Sequence, residues 1–341
     1  MDKRVFITDC EGPISVNDNA FELAGEFIED GEKFFSIISK YDDILADEIK
    51  KPGYNAGDTL KLIVPFLKAY GVTNDKIVKF SRDNVLLVPK APETLQFIPG
   101  IMPSYIVSTS YQQYIKALCD VTDFPYENTY STKLDLDNFS LESEEKKELI
   151  KIRKRILENP DIENLNKIFW EELPEMEIGA IINSVKTVGG EGKKKALEDI
   201  ISKNQFHPYN IMYVGDSITD VEPLRFAKEN KGIAISFNGN EFALREAEIA
   251  IISDNTIITS LLADLFNKFG RNYLIEFVKA YSEDRPRALD NFKVNLDLVK
   301  KLDEVNKPVI SLIDHENREY LTRKSIDFRK KIRGEAIGGL G

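Results

Sequence analysis

The stretch Ile211-Met212-Tyr213-Val214-Gly215-Asp216-Ser217-Ile218-Thr219-Asp220 decides how the 341-residue chain is read. Ile211 to Val214 is a short continuous apolar run, the pattern of a strand buried on both faces. It stops at a glycine and is followed by two carboxylates four residues apart. A purely structural loop seldom needs two acids after a buried strand. Hard oxygen ligands on a tight turn suit Mg2+, which keeps several waters and takes few protein carboxylates.

Working outward, four runs of the same kind appear at Arg4 to Thr8, Tyr105 to Val107, Ile233 to Ser236 and Ile249 to Ile252. Helical patterns such as Tyr111 to Leu118 and Lys194 to Ser202 lie between them. Alternation of this kind predicts an α/β protein with a doubly wound parallel sheet. Ligands of such sheets bind beyond the carboxyl ends of the strands, so the residues that follow each run are the candidates.

Three more polar groups stand at such places. The first run ends in Asp9-Cys10-Glu11-Gly12. A lone Asp there would be an ordinary turn residue, but Glu11 adds a second acid and Gly12 lets the loop bend away. Cys10 alternates to the opposite side and reads as packing. The second run ends in Ser108-Thr109-Ser110, which serves either as a helix cap or as an anion site. Gly192-Lys193-Lys194-Lys195 opens a helix. It is not a Walker loop, because Thr187 stands where the first glycine belongs and Lys194 where Ser or Thr belongs. It reads as a basic first turn with one lysine free to face inward.

The order acid pair, hydroxyl, lysine, acid pair resembles the haloacid dehalogenase superfamily, at Asp9 with Glu11, at Ser108, at Lys193, and at Asp216 with Asp220. The stretch from Gly192-Lys193 to Asp220, continued by Ala234-Ile235-Ser236-Phe237-Asn238-Gly239-Asn240, is most similar to the phosphoserine-phosphatase-like branch. The resemblance implies a Rossmann-like core with an inserted helical cap, and an Mg2+-dependent phosphatase of small phosphomonoesters. Asp9 would attack phosphorus, and Glu11 would act as acid and base. Ser108, Thr109 and Lys193 would bind phosphoryl oxygens. The ion would rest on the Asp9 carboxylate, the Glu11 carbonyl and Asp216, supported by Asp220. The family usually carries Asp where Glu11 stands, although some phosphoserine phosphatase relatives have Glu, so the side chain that delivers the proton is longer by one methylene. A second reading of another class stays open, a catalytically weak or inactive accessory subunit or binding module of the same fold, associated with a hydrogenase complex.

The resemblance covers roughly 1–13, 90–122 and 188–255 and leaves both insertions and the tail uncovered; the core is taken as 1–13 and 91–255. Residues 14–90 read as the helical cap, with helices over 20–28, 31–40, 57–70 and 74–83. An insertion is expected at about 125–188, and 256–341 reads as a mostly helical extension. Near the cap entrance, Asn17, Asp18 and Asn19 are polar candidates for specificity, read first as ordinary loop residues. In the extension, Arg323, Lys324, Arg329, Lys330, Lys331 and Arg333 concentrate positive charge, which reads first as a solvated helix end and second as a docking segment for another copy or an acidic partner.

Composition narrows the function classes. Hydrophobic residues make up 42% and charged residues 30%, a globular profile. Lys and Arg number 46 against 57 Asp and Glu, so the net charge of -11 disfavours nucleic acid as a partner. Two cysteines and two histidines exclude a disulfide framework and His-rich zinc sites. Met1-Asp2-Lys3-Arg4 runs directly into Val5-Phe6-Ile7 without a signal-peptide pattern, and no stretch reaches the ~18 apolar residues of a membrane span, so a soluble, cytoplasmic chain without membrane insertion is expected.

Overall fold

Val5, Phe6, Ile7 and Thr8 are all buried, and their side chains alternate between two different cores. Val5 and Ile7 meet Tyr213, Leu197 and Leu224 on one face, while Phe6 meets Met212, Ile235 and Ile258 on the other. A strand covered on both faces needs helices on both sides, which is why its sequence is apolar without alternation. The computed structural model describes residues 3–340, so Met1, Asp2 and Gly341 lie outside the described residues.

Seven strands form one sheet: β1 (Val5–Thr8), β2 (Ser104–Tyr111), β3 (Thr129–Thr132), β4 (Ile211–Gly215), β5 (Ile233–Phe237), β6 (Ile249–Ile252) and β7 (Val309–Leu312). Their order is β3-β2-β1-β4-β5-β6-β7, and every pair is parallel except β6 with β7. This is the doubly wound α/β sheet expected from the sequence, with a haloacid-dehalogenase-like Rossmannoid core and an inserted helical cap. The chain order reverses between β1 and β4, where a crevice opens beyond the strand ends. Thr8 pairs with Val214, so Asp9 and Asp216 emerge side by side.

Two features depart from the sequence reading. The 125–188 interval contains β3, an edge strand whose residues Thr129, Tyr130 and Ser131 are only half-buried, so no apolar run marks it off from the expected insertion. The expected helix over 57–70 divides into Thr59–Leu62 and Val64–Ala69 at Pro65, which has no N–H to continue the first segment.

The helices of the first insertion do not stand alone. Phe34, Phe66 and Leu67 share one apolar cluster with Leu149, Ile152 and Phe169 of the second insertion, so both insertions build one helical layer beside the crevice. The C-terminal part is equally integrated. Helix Ile257–Phe269 is buried along nearly its whole length in the core under the sheet. Helix Arg318–Arg333 follows β7 and returns toward the strand ends. Among the described residues, no helix is long and apolar enough to cross a membrane.

Candidate functional site

Asp9 leaves β1 with its N–H donated to the Val214 carbonyl at 2.8 Å, which extends the β1–β4 pairing to the acid itself. The next turn is closed by Gly12, whose N–H donates to the Ser15 carbonyl at 2.7 Å. Gly12 has φ +96°, and a Cβ there would run into the Asp216 carboxylate, so only glycine lets this loop pass so near the second acid.

On the β4 side, Asp216 and Asp220 have different tasks. One Asp220 oxygen accepts the N–H groups of Asp216 at 2.9 Å and Ser217 at 3.1 Å, closing a capping box with Ser217. Its other oxygen accepts from Lys193 Nζ at 2.8 Å and from the Tyr213 hydroxyl at 2.6 Å. Lys193 also donates to Asp9 Oδ2 at 2.6 Å. Of the three consecutive lysines only Lys193 is buried, because it lies on the inward face of helix Glu191–Asn204.

The charges respond to burial and to each other. Burial pushes the Asp9 carboxyl upward against the pull of Lys193. At Asp220 burial acts the same way, but Lys193, Tyr213 and the Asp216 amide outweigh it and hold the group below the ordinary carboxylate range. Burial opposes the charge of Lys193 as well, and Asp220 with Asp9 more than offsets it, leaving the ammonium above the usual lysine value. Glu11 accepts the Asn19 N–H at 2.8 Å. Burial first, then the charge of Asp18, raises it well above an ordinary glutamate.

Carboxylate oxygens of Asp9, Asp216 and Asp220 lie within 4.8 Å of one another and all three residues are buried. An all-oxygen, acidic donor set of this size fits a hard dication, which makes Asp9, Asp216 and Asp220 a candidate divalent-metal site. The cavity above them, about 70 Å³, is lined by Glu11 and Thr109 from the core side and by Asp18, Phe35, Asp43 and Leu60 from the cap side. Thr109 Oγ1 is buried there without a partner. Ser108 is buried, and its hydroxyl oxygen accepts the Ser110 N–H at 3.1 Å, a turn contact that leaves its proton to donate.

Some site residues do more than the first sequence reading gave them. Asn17, Asp18 and Asn19 are not ordinary loop residues: all three are buried or half-buried, Asn19 holds Glu11, and Asp18 caps helix Asn19–Phe27 while lining the cavity. The basic tail is only in part a solvated end: Arg323 and Lys331 are exposed, whereas two of its arginines turn inward. Arg329 is 2% exposed, and both Arg329 and Arg333 are paired with Asp216 Oδ2. The signal available was their spacing of four residues, which puts both on one helical face.

The cap side gives a pH prediction. Burial, then Asp42, Glu241 and Asp47, raise Asp43 to about 8. A folded value above the unfolded ~3.9 means that stability is lost as the pH climbs from about 4 to about 8 and is level above that. Asp43→Asn removes the penalty. Thermal melts should show the variant stabilised by about 1–3 kcal/mol near pH 9 and little changed near pH 4. An equal shift at both would assign the effect to packing.

Comparison with known proteins agrees with this architecture. Gene product AF1437 from Archaeoglobus fulgidus superposes with a TM-score of 0.82 at 29% identity, over 99% of this chain and 99% of that one, so the likeness includes both insertions and the C-terminal helices. A substrate-bound phosphoserine phosphatase complex is similar over 73% of this chain and 93% of its own, at 15% identity and a TM-score of 0.49. A HAD family hydrolase, t0658 from Salmonella enterica serovar Typhi, is similar over 72% of this chain and 67% of its own, at 15% identity and a TM-score of 0.47. No family model and no curated protein matches the chain. The sheet order and the inserted helical cap are those of a haloacid-dehalogenase-like Rossmannoid fold, and the buried Asp9, Asp216 and Asp220 are a candidate metal site.

Proposed function

We propose that the chain is an Mg2+-dependent phosphohydrolase acting on a small phosphomonoester through an aspartyl-phosphate. The observation that carries this reading is the convergence of Asp9, Lys193, Asp216 and Asp220 beyond the ends of two adjacent strands, although they come from distant parts of the chain. A phosphate monoester is a dianion that repels nucleophiles, so the site must neutralise charge, align the attack and supply a proton. Mg2+ held by Asp9, the Glu11 carbonyl and Asp216 would supply much of the neutralisation.

The chain's own residues do the rest. Lys193 holds Asp9 in place and, with Ser108 and Thr109, donates to the phosphoryl oxygens. An Asp9 oxygen forms the new bond to phosphorus as the bond to the leaving oxygen breaks, and Glu11 gives its proton to that oxygen. Glu11, now ionised, then takes a proton from the water that attacks the same phosphorus, which releases phosphate and restores Asp9. The small cavity, roofed by cap residues, favours a metabolite over a macromolecule.

A panel of phosphorylated metabolites assayed with and without Mg2+ tests the reading. Turnover of at least one compound that is lost on chelation supports it, and no turnover by the metal-supplemented protein counts against it. Glu11→Gln is expected to slow alkyl phosphates by about 10²–10⁴-fold, and aryl phosphates far less, because a phenolate departs without a proton. Equal slowing of both would leave Glu11 a structural residue.

A further inference from the structure

The six basic residues near the C-terminus were left without a task by the chemistry above, and two of them enter the site. Helix Arg318–Arg333 presents Leu321, Ser325, Arg329 and Arg333 along one face, each four residues after the last. Leu321 packs in a small cluster with Leu244 and Ala250. Ser325 donates its hydroxyl to the Gly239 carbonyl at 2.6 Å. Arg329 Nη1 donates to Asp216 Oδ2 and, at 3.3 Å, to the Asp216 carbonyl. Arg333 donates Nη1 to the same Oδ2 at 3.2 Å, Nε to the Val16 carbonyl at 3.0 Å, and Nη2 to the Asn17 carbonyl. Past Gly334, Ile337 and Leu340 pack against the cap cluster, and Leu340 lines the cavity. The segment is a strap from the sheet, across the acids, to the cap.

We propose that this strap is an intramolecular competitor for the divalent cation: Arg329 occupies the place at Asp216 that the ion would take, and the ion binds as the helix lifts. The proposal rests on the reading of Asp216 as a metal ligand. Three observations carry it. Lys193, Arg329 and Arg333 are ion-paired with the three carboxylates Asp9, Asp216 and Asp220, so each candidate metal-binding acid already has a cationic partner. A dication added beside both guanidiniums would place like charges within a few ångströms in a buried site, where water screens them poorly. Inner-sphere Mg2+ needs an oxygen at about 2.0–2.1 Å, and Asp216 Oδ2 already receives two guanidiniums.

The third observation concerns the cost of the contact. Arg329 Nε is buried without a partner, so the helix brings in a guanidinium that its surroundings do not fully satisfy. The apolar hold on the same helix is a small satellite cluster rather than the main core. An element with few buried apolar contacts opens at low cost. Linkage then requires reciprocity, because whatever factor the docked helix takes from metal affinity, the bound metal takes from helix docking.

The experiment uses the full chain with Mg2+ alone and reads binding, not turnover. Calorimetry compares the parent protein with Arg329→Met and Asp216→Asn, and hydrogen exchange follows the amides of residues 321–333. Arg329→Met is expected to bind Mg2+ at least ~10-fold more tightly, Asp216→Asn to lose binding, and saturating Mg2+ to accelerate exchange along the helix in the parent but not in Asp216→Asn. Should Arg329→Met fail to fold, exchange in the parent protein decides alone. Asp216-dependent binding with unchanged or weaker affinity in Arg329→Met, or with an undisturbed helix, would overturn the competitor and leave the phosphatase reading standing. No Mg2+ binding by any of the chains, Arg329→Met included, would remove the metal reading and the competitor together.

Discussion

Asp9→Asn is expected to abolish turnover, by roughly 10⁴-fold or more, in a chain that still folds. The amide has the size of the carboxylate, and its oxygen can still accept the Cys10 N–H that Asp9 Oδ1 accepts at 2.7 Å. What it loses is the negative oxygen that would attack phosphorus. The structural cost is the contact with Lys193, which keeps Asp220 as its partner, so a loss of about 1–3 kcal/mol is expected. Circular dichroism and thermal melts, measured beside the phosphatase assay, separate the two effects. Retained turnover in a folded Asp9→Asn variant would exclude Asp9 as the nucleophile.

Lys193→Met should have the largest effect on stability. Its ammonium is completely buried and is the shared partner of Asp9 and Asp220. Methionine fills a similar length but leaves two buried carboxylates facing each other, and breaking a buried pair in this way costs about 3–5 kcal/mol. The pH dependence follows from the directions of the shifts. Lys193 is raised in the fold, so its contribution is fully present below the unfolded value of ~10.4 and is lost as the pH rises through the folded one. Asp220 is lowered, so its contribution is present above ~3.9 and is lost as the pH falls through its folded value. The Lys193 and Asp220 contributions are therefore both present from about pH 4 to about pH 10, while Asp9, raised by burial, costs stability as the pH rises above ~3.9; in Lys193→Met the fall with pH from about 4 should be steeper than the parent's, since both acids must then be protonated to stay buried. A melt series across that range that runs parallel to the parent's would contradict the assigned pairing.

Much of this site could be read from the chain because Asp9 and Asp216 directly follow buried strands and Asp220 stands four residues after Asp216. Asp9, Asp216 and Asp220 are marked by the apolar runs before them, and the sheet places β1 next to β4, so neighbours in space are announced by local pattern. Lys193 was legible as one of three lysines at a helix start, while which of them turns inward depends on how that helix packs on the sheet. β3 escaped because an edge strand is half-exposed and need not be apolar. The burial of helix Ile257–Phe269 escaped in part: its spacing was visible at Leu261, Leu262, Leu265 and Phe266, but a spacing does not say which surface covers it. Arg329 and Arg333 were hardest to place. A run of positive charge near a chain end looks solvated unless the acid it serves is known, and that acid lies 113 residues from Arg329 and 117 from Arg333.

The central claim is that Asp9 carries the phosphoryl group. Its most direct test is chemical trapping: the protein is quenched during turnover of a phosphomonoester in the presence of Mg2+, the acyl phosphate is reduced with borohydride, and the peptides are mapped by mass spectrometry. Reduction should convert Asp9, and no other carboxylate, to homoserine, and the conversion should be absent without substrate. Steady turnover with Asp9 left unmodified would contradict it.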